Sequence, residues 1–216
     1  VTMATGSRGM YTGVLRGGLV EVRGQKNALE IFENGFFGKG TLSRSRPLNL
    51  GKENLILLHE EAYFLSFYVK CLSICTPSED GKKILEKQLA KEECFNVFSH
   101  FNPRFPERYA TYHYYRSRGW IIRSGLKFGA DFLFYKDSPE KVHASFCVVV
   151  ENLKETKEGM ISTFASLERL CTIAGNAAKS LLVCMVSVPD DEKLQYLDAY
   201  SILGVELTRW FPRRPR

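Results

Sequence analysis

"FGADFLFYKDSPEKVHASFCVVV", residues 128–150, holds two runs of aromatic and β-branched residues separated by a polar turn. Runs of this length and composition read as paired strands. Tyr135 closes the first run and His143 opens the second, so pairing across the turn 136–142 sets two proton carriers at one end of a sheet. Alternation places Tyr135 on the face of Leu133, and His143 on that of Ser145 and Cys147. A tyrosine at a strand end and a single histidine are most often structural, so the rest of the chain has to decide what this pair is for.

Around this hairpin the pattern stays β-rich. "WIIRS" (120–124), "DFLFYK" (131–136) and "HASFCVVVEN" (143–152) read as strands, residues 162–174 as a helix, and "KSLLVCMVSV" (179–188) as a buried strand. After the acidic loop "PDDEK" (189–193) and a short helical or irregular segment come "SILGVELTRW" (201–210) and a basic tail. Strands with one crossover helix predict a compact α/β domain with a mixed sheet. Lys179 stands out, because a buried strand ordinarily begins without a charge; the plain reading is a lysine snorkelling at a strand end.

The first half is more helical. The opening to about Gly24 is glycine-rich and poorly periodic, with a short strand signal at "GLVEVRG" (18–24). A helix start at "NALEIFEN" is broken by Gly35, and "GFFGKGT" (35–41) fails the spacing of a phosphate-binding loop. "EEAYFLSFYVKCLS" (60–73) is apolar on nearly every face and predicts a buried helix, a second helix is expected over 83–93, and a third over 107–117. Prolines 103 and 106 put a domain boundary near residue 100, giving domains 1–100 and 101–216.

With 216 residues and a 44% hydrophobic fraction, the chain can bury a real core. The apolar run 62–75 is too short to span a bilayer and carries Lys70, so no membrane span is expected, and no leader pattern points to secretion. The six cysteines lie mostly within apolar segments and read as reduced core residues. The close pair Cys71 and Cys75 reads as lying in a helix and lacks a second pair, so zinc is not expected. The net charge of +6 fits a polyanionic partner. Arg44, Arg46, Arg104, Arg108, Arg116, Arg118, Arg123 and Lys127 interleave with Tyr109, Tyr112, Tyr114 and Tyr115. That alternation suits single-stranded or bulged RNA, and it equally suits a solvated helix face with its aromatics in the core.

Tyrosine, histidine and lysine without a carboxylate cluster fit cleavage of RNA by its own 2′-hydroxyl, with no metal and no cofactor. One group removes the 2′-proton, a second protonates the departing 5′-oxygen, and a cation stabilises the phosphorane-like transition state. The tyrosine, ordinarily titrating near ~10, needs a nearby cation such as Lys179 to become a base. A metal-dependent nuclease would pair Asp131 with a correctly spaced Glu-x-Lys, and "EKV" and "ENLK" do not supply one.

The stretch 112–152 with "AAKSLLVCMV" (177–186) resembles the catalytic domain of tRNA-splicing endonucleases. "GFFGKGTLSRSRP" (35–47) and "EEAYFLSFYVKCLSI" (60–74) narrow the resemblance to the eukaryotic catalytic subunit for the 5′ splice site, and the similarity runs from about residue 19 to Trp210. The resemblance implies a small N-terminal α/β domain and a C-terminal restriction-endonuclease-like domain, α+β overall. It implies Tyr135 as general base, His143 as general acid and Lys179 as the transition-state lysine. It also implies pre-tRNA as substrate, a second catalytic and two structural subunits as partners, and a place in the nucleus, or on mitochondria in a yeast. The resemblance implies two positions that sandwich a bulged base: Trp210, with Arg209 beside it, matches the second, while the first, an arginine in the family, is here Thr172, with Arg169 one helical turn earlier as a substitute. Between Pro47 and Glu60 only a short link replaces the family's long variable insertion. The alternative reading is a non-catalytic RNA-binding or scaffold subunit of the same fold.

Overall fold

The computed structural model describes residues 11–41, 53–77, 87–154, 159–190 and 194–208. The chain divides into two compact units, Val1–Tyr109 and Ala110–Arg216, the division falling inside a helix. Both sheets are mixed, so the protein is α+β.

In the first unit, β1 (Tyr11–Arg16) and β2 (Leu19–Val22) form a hairpin. Gly17 and Gly18 both have positive φ, which a two-residue turn between twisted strands requires. The reading of this segment as aperiodic missed β1, because Gly13 interrupts its alternation. Helix α1 (Gln25–Glu33) follows, burying Ala28, Ile31 and Phe32. Then come β3 (Lys39–Gly40), β4 (Leu55–Leu57) and helix α2 (His59–Tyr63), which runs on as a π-helical turn over Phe64–Tyr68. In the segment "GFFGKGT" the Gly38 amide faces no phosphate position; it donates to the Glu61 carboxylate at 3.0 Å.

The expected helix over 60–73 is therefore corrected. It ends before Lys70, which adopts a left-handed φ of 62°, and β5 (Leu72–Thr76) pairs in parallel with β1. A continuous apolar run hides such a change of period. Cys71 and Cys75 accordingly do not share a helix: Cys71 precedes β5 and Cys75 lies within it. The helix expected over 83–93 is also displaced. Lys87–Gln88 is the short strand β6, and helix α3 spans Lys91–Phe101, its first turn carrying Glu92 and Glu93 where the helix dipole favours acids. The sheet order is β3-β4-β2-β1-β5-β6.

Helix α4 (Phe105–Arg116) starts in the first unit. Phe95, Phe98 and Phe105 meet Tyr63 edge-on, with centroids 5.7–6.4 Å apart. Arg108 reaches the buried Glu60, Nε to Oε1 at 2.6 Å.

The second unit holds β7 (Ile121–Ser124), β8 (Phe132–Tyr135), β9 (Phe146–Asn152), α5 (Phe164–Asn176), β10 (Ser180–Ser187) and β11 (Ser201–Leu207), in the order β11-β10-β9-β8-β7. The strands and the crossover helix fall within or beside the expected runs, except that β9 starts at Phe146, three residues later than expected. Against one face pack Leu170 and Ala174 of α5, meeting Leu133, Cys147, Val149 and Leu181. Ring contacts join Tyr112 to Phe132, and Tyr115 and Trp120 to Phe134. Thr163 caps α5, its hydroxyl accepting from the Ser166 amide at 3.1 Å.

The alternation of basic and aromatic residues in α4 is largely core rather than RNA-facing. Tyr109, Tyr112 and Arg116 are buried, Arg108 pairs with Glu60, and the Arg116 guanidinium donates to the Trp120 carbonyl. Arg118 remains exposed, its guanidinium 3.5 Å from the centroid of the Tyr114 ring. Arg44 and Arg46 lie outside the described residues. Four cysteines are buried and two are partly exposed, all as free thiols. Among the described residues no helix is long and apolar enough to cross a membrane.

Candidate active site

The register of the second sheet brings two of the three sequence candidates, Tyr135 and Lys179, to one end of it. Phe134 pairs with Phe146, and Phe146 with Ser180. One step beyond that row, the Ser145 amide donates to the Phe134 carbonyl and the Ser180 amide to the Ser145 carbonyl. Tyr135 thus ends β8 beside the start of β9, and Lys179 immediately precedes β10 at the same end of the sheet. Alternation turns Tyr135 to the face of Leu133, the face that α5 covers, and Tyr135 packs against that core.

His143 differs from expectation. Strand β9 begins at Phe146, so His143 lies in the preceding loop rather than on the strand. The loop closes on Ser138: its carbonyl accepts from the amides of Lys141 and Val142, and its hydroxyl from that of Glu140. Ser138 and Ala144 are buried at either side, and His143 projects between them as an exposed residue.

Lys179 is aimed by the end of α5. The Ala178 amide donates to the Gly175 carbonyl and the Lys179 amide to that of Ala174, the paired bonds of a Schellman stop. Such a stop needs a left-handed residue, and here it is Ala178, with φ 53°. The Lys179 ammonium donates to the Ala177 carbonyl at 2.9 Å and lies 5.2 Å from the centroid of the Phe128 ring. A left-handed L-residue costs about 1–2 kcal/mol, most of which glycine avoids. Ala178→Gly is therefore expected to stabilise the chain by ~1 kcal/mol, read as a higher urea midpoint at unchanged slope. A lower midpoint would contradict this account of the turn.

Cys147 lies between the two sheet-borne groups. Burial pushes its thiol up while the positive charge of Lys179 opposes that rise. Burial also raises the Tyr135 phenol, with Cys147 adding to the rise; the cation that opposes it is Arg123 on β7, not the expected Lys179. Sequence reasoning named Arg123 only as one of many basic residues, and its place opposite Leu133 emerges from the strand register.

The carboxylates near the sheet are committed to the backbone. Asp131, 5% exposed, accepts from the Val150 amide at 2.8 Å, and Glu151 from the Ile161 amide at 3.1 Å. Among the described residues no three of His, Cys, Asp and Glu gather closely enough to hold a metal ion. Arg169 is exposed on α5, and Trp210 and Arg209 lie outside the described residues. An open cleft of about 560 Å3 in the first unit, lined by Gly24, Lys26, Asn27 and Glu53 among others, contains none of the candidate residues.

Comparison with known proteins shows the family. The family described as tRNA intron endonuclease, N-terminal domain, matches residues 11–88, and that described as tRNA intron endonuclease, catalytic C-terminal domain, matches residues 105–196, which contain Tyr135, His143 and Lys179. The chain belongs to the tRNA intron endonuclease family. Within it, the similarity is to the tRNA-splicing endonuclease subunits named Sen2. The chain is 34% identical over 173 residues to the Sen2 subunit of Mus musculus, covering 76% of this chain and 36% of that one. It is 30% identical over 191 residues to the Sen2-1 subunit of Arabidopsis thaliana, covering 87% and 75%, and 31% identical over 175 residues to the SEN2 subunit of Saccharomyces cerevisiae, covering 76% and 43%. The chain thus spans little more than a third of the mouse relative's length.

Proposed function

We propose that the chain is the catalytic subunit that cuts pre-tRNA at the 5′ splice site, without a metal, in a complex with a second catalytic and two structural subunits. The observation that carries this reading is the register that brings Tyr135 and Lys179 to one end of the sheet beside the loop bearing His143. Tyr135 takes the proton from the 2′-hydroxyl at the splice site, and the freed oxygen attacks the adjacent phosphorus. The bond from phosphorus to the 5′-oxygen breaks as His143 gives that oxygen a proton, and the Lys179 ammonium stabilises the charge on the pentavalent phosphorus group. The products are a 2′,3′-cyclic phosphate and a 5′-hydroxyl. Arg169, Arg209 and Trp210 are assigned to the grip on RNA, and the nucleus, or the mitochondrial surface in a yeast, is the place of action.

End-group analysis tests the reading. Pre-tRNA cut by the reconstituted complex in EDTA is expected to carry cyclic phosphate and 5′-hydroxyl ends at an undiminished rate, and Tyr135→Phe to lose 5′-site cutting. A 5′-phosphate product or a need for magnesium in the chemical step would replace this mechanism with a metal-dependent one.

A further inference from the structure

Burial holds Tyr135 as a phenol, whereas its proposed task requires it to accept a proton. Lys179 is engaged elsewhere, at the Ala177 carbonyl, the Phe128 ring and the side of Cys147. Among the described residues, the groups that surround Tyr135 offer it one other cation. β9 contributes Cys147, α5 contributes Leu167, Leu170, Cys171 and Ala174 to the same cluster, and β7 contributes Arg123. In the β7–β8 register Arg123 stands opposite Leu133 and Ile121 opposite Tyr135. Opposed residues of an antiparallel pair share a face, so Arg123 lies diagonal to Tyr135 on the face that both use, a separation long side chains span. β7 is the edge strand, and Arg123 is partly exposed there.

We propose that Arg123 is the positioning residue of Tyr135, its guanidinium stabilising the deprotonated hydroxyl and fixing the oxygen toward the open end of the sheet. The proposal rests on the reading of Tyr135 as general base and divides the positive charge of the site in two: Arg123 serves the base and Lys179 serves the phosphorus. The division explains how a half-buried tyrosine becomes reactive without drawing on the cation that the transition state needs.

The deciding measurement does not depend on cleavage. 3-Fluorotyrosine, more acidic than tyrosine, is installed at position 135 of the full chain and titrated by fluorine NMR. Arg123→Gln is expected to move the inflection to higher pH, because a lost positive charge disfavours the phenolate, and Arg123→Lys to keep it near the unsubstituted value. Arg123→Met, which retains the apolar stem, takes the place of Arg123→Gln if that variant does not fold. In the reconstituted complex the charge-removing variant is expected to lose about tenfold in 5′-site cutting at neutral pH, because an inflection higher by about one pH unit leaves roughly a tenth of the phenolate, and to recover as pH rises. An inflection unmoved by removal of the charge overturns the proposal even if the complex cuts. A moved inflection in a complex that cuts equally well with Tyr135→Phe sustains the pairing and sinks the assignment of Tyr135 as base.

Discussion

His143→Ala in the reconstituted complex is expected to slow 5′-site cleavage by about 10²–10⁴-fold, the usual contribution of a positioned general acid. The size of the effect should come from chemistry alone, because His143 is exposed and its loop is closed by Ser138 rather than by the histidine. The melting curve and subunit assembly should therefore match the unsubstituted chain. On the proposed assignment, cutting at the 3′ site provides an internal control under single-turnover conditions. Added imidazole should restore part of the lost rate by supplying the missing proton donor. Undiminished 5′-site cutting would remove His143 from the mechanism.

Arg108→Ala is expected to destabilise the first unit by ~3–5 kcal/mol, because it strands a buried carboxylate. The Glu60 side chain is 3% exposed and its partner Arg108 only 15%, so little water replaces the lost cation. Urea denaturation should show a lower midpoint, and Arg108→Ala combined with Glu60→Gln should recover part of the loss by removing the stranded charge. A midpoint equal to that of the unsubstituted chain would show that the pair contributes nothing, and a double variant no better than the single one would show that the stranded charge is not the cause of the loss. The same pair separates a structural arginine from the RNA-facing role its place in the sequence suggested.

The second unit was legible because its strands are short β-branched and aromatic runs bounded by turn residues, from "WIIRS" to "SILGVEL". The meeting of Tyr135 and Lys179 at one end followed from strand order, whereas the loop position of His143 did not, because alternation places it on a strand that begins only at Phe146. The first unit was less legible for physical reasons. In 60–76 the buried helix and the buried strand are both mostly apolar, so no clear change of period marks the bend at Lys70. Around Lys87, a two-residue strand falls below any periodic signal, and the helix start at Lys91 rests on the Glu93 carboxylate folding back to the Ala90 amide. The roles of Arg116 and Tyr112 depend on which helix face is covered, and local composition does not encode that. Arg123 was hidden for the same reason: the role proposed for it rests on a diagonal across two strands.

The self-closed loop that carries His143 also bears on inheritance. On the proposed role of His143, a chain altered there is expected to keep its fold, assemble and occupy complexes that cannot finish the cut. Such an allele should interfere with the normal copy, whereas one altered at Arg108, removed before it assembles, should behave as simple absence.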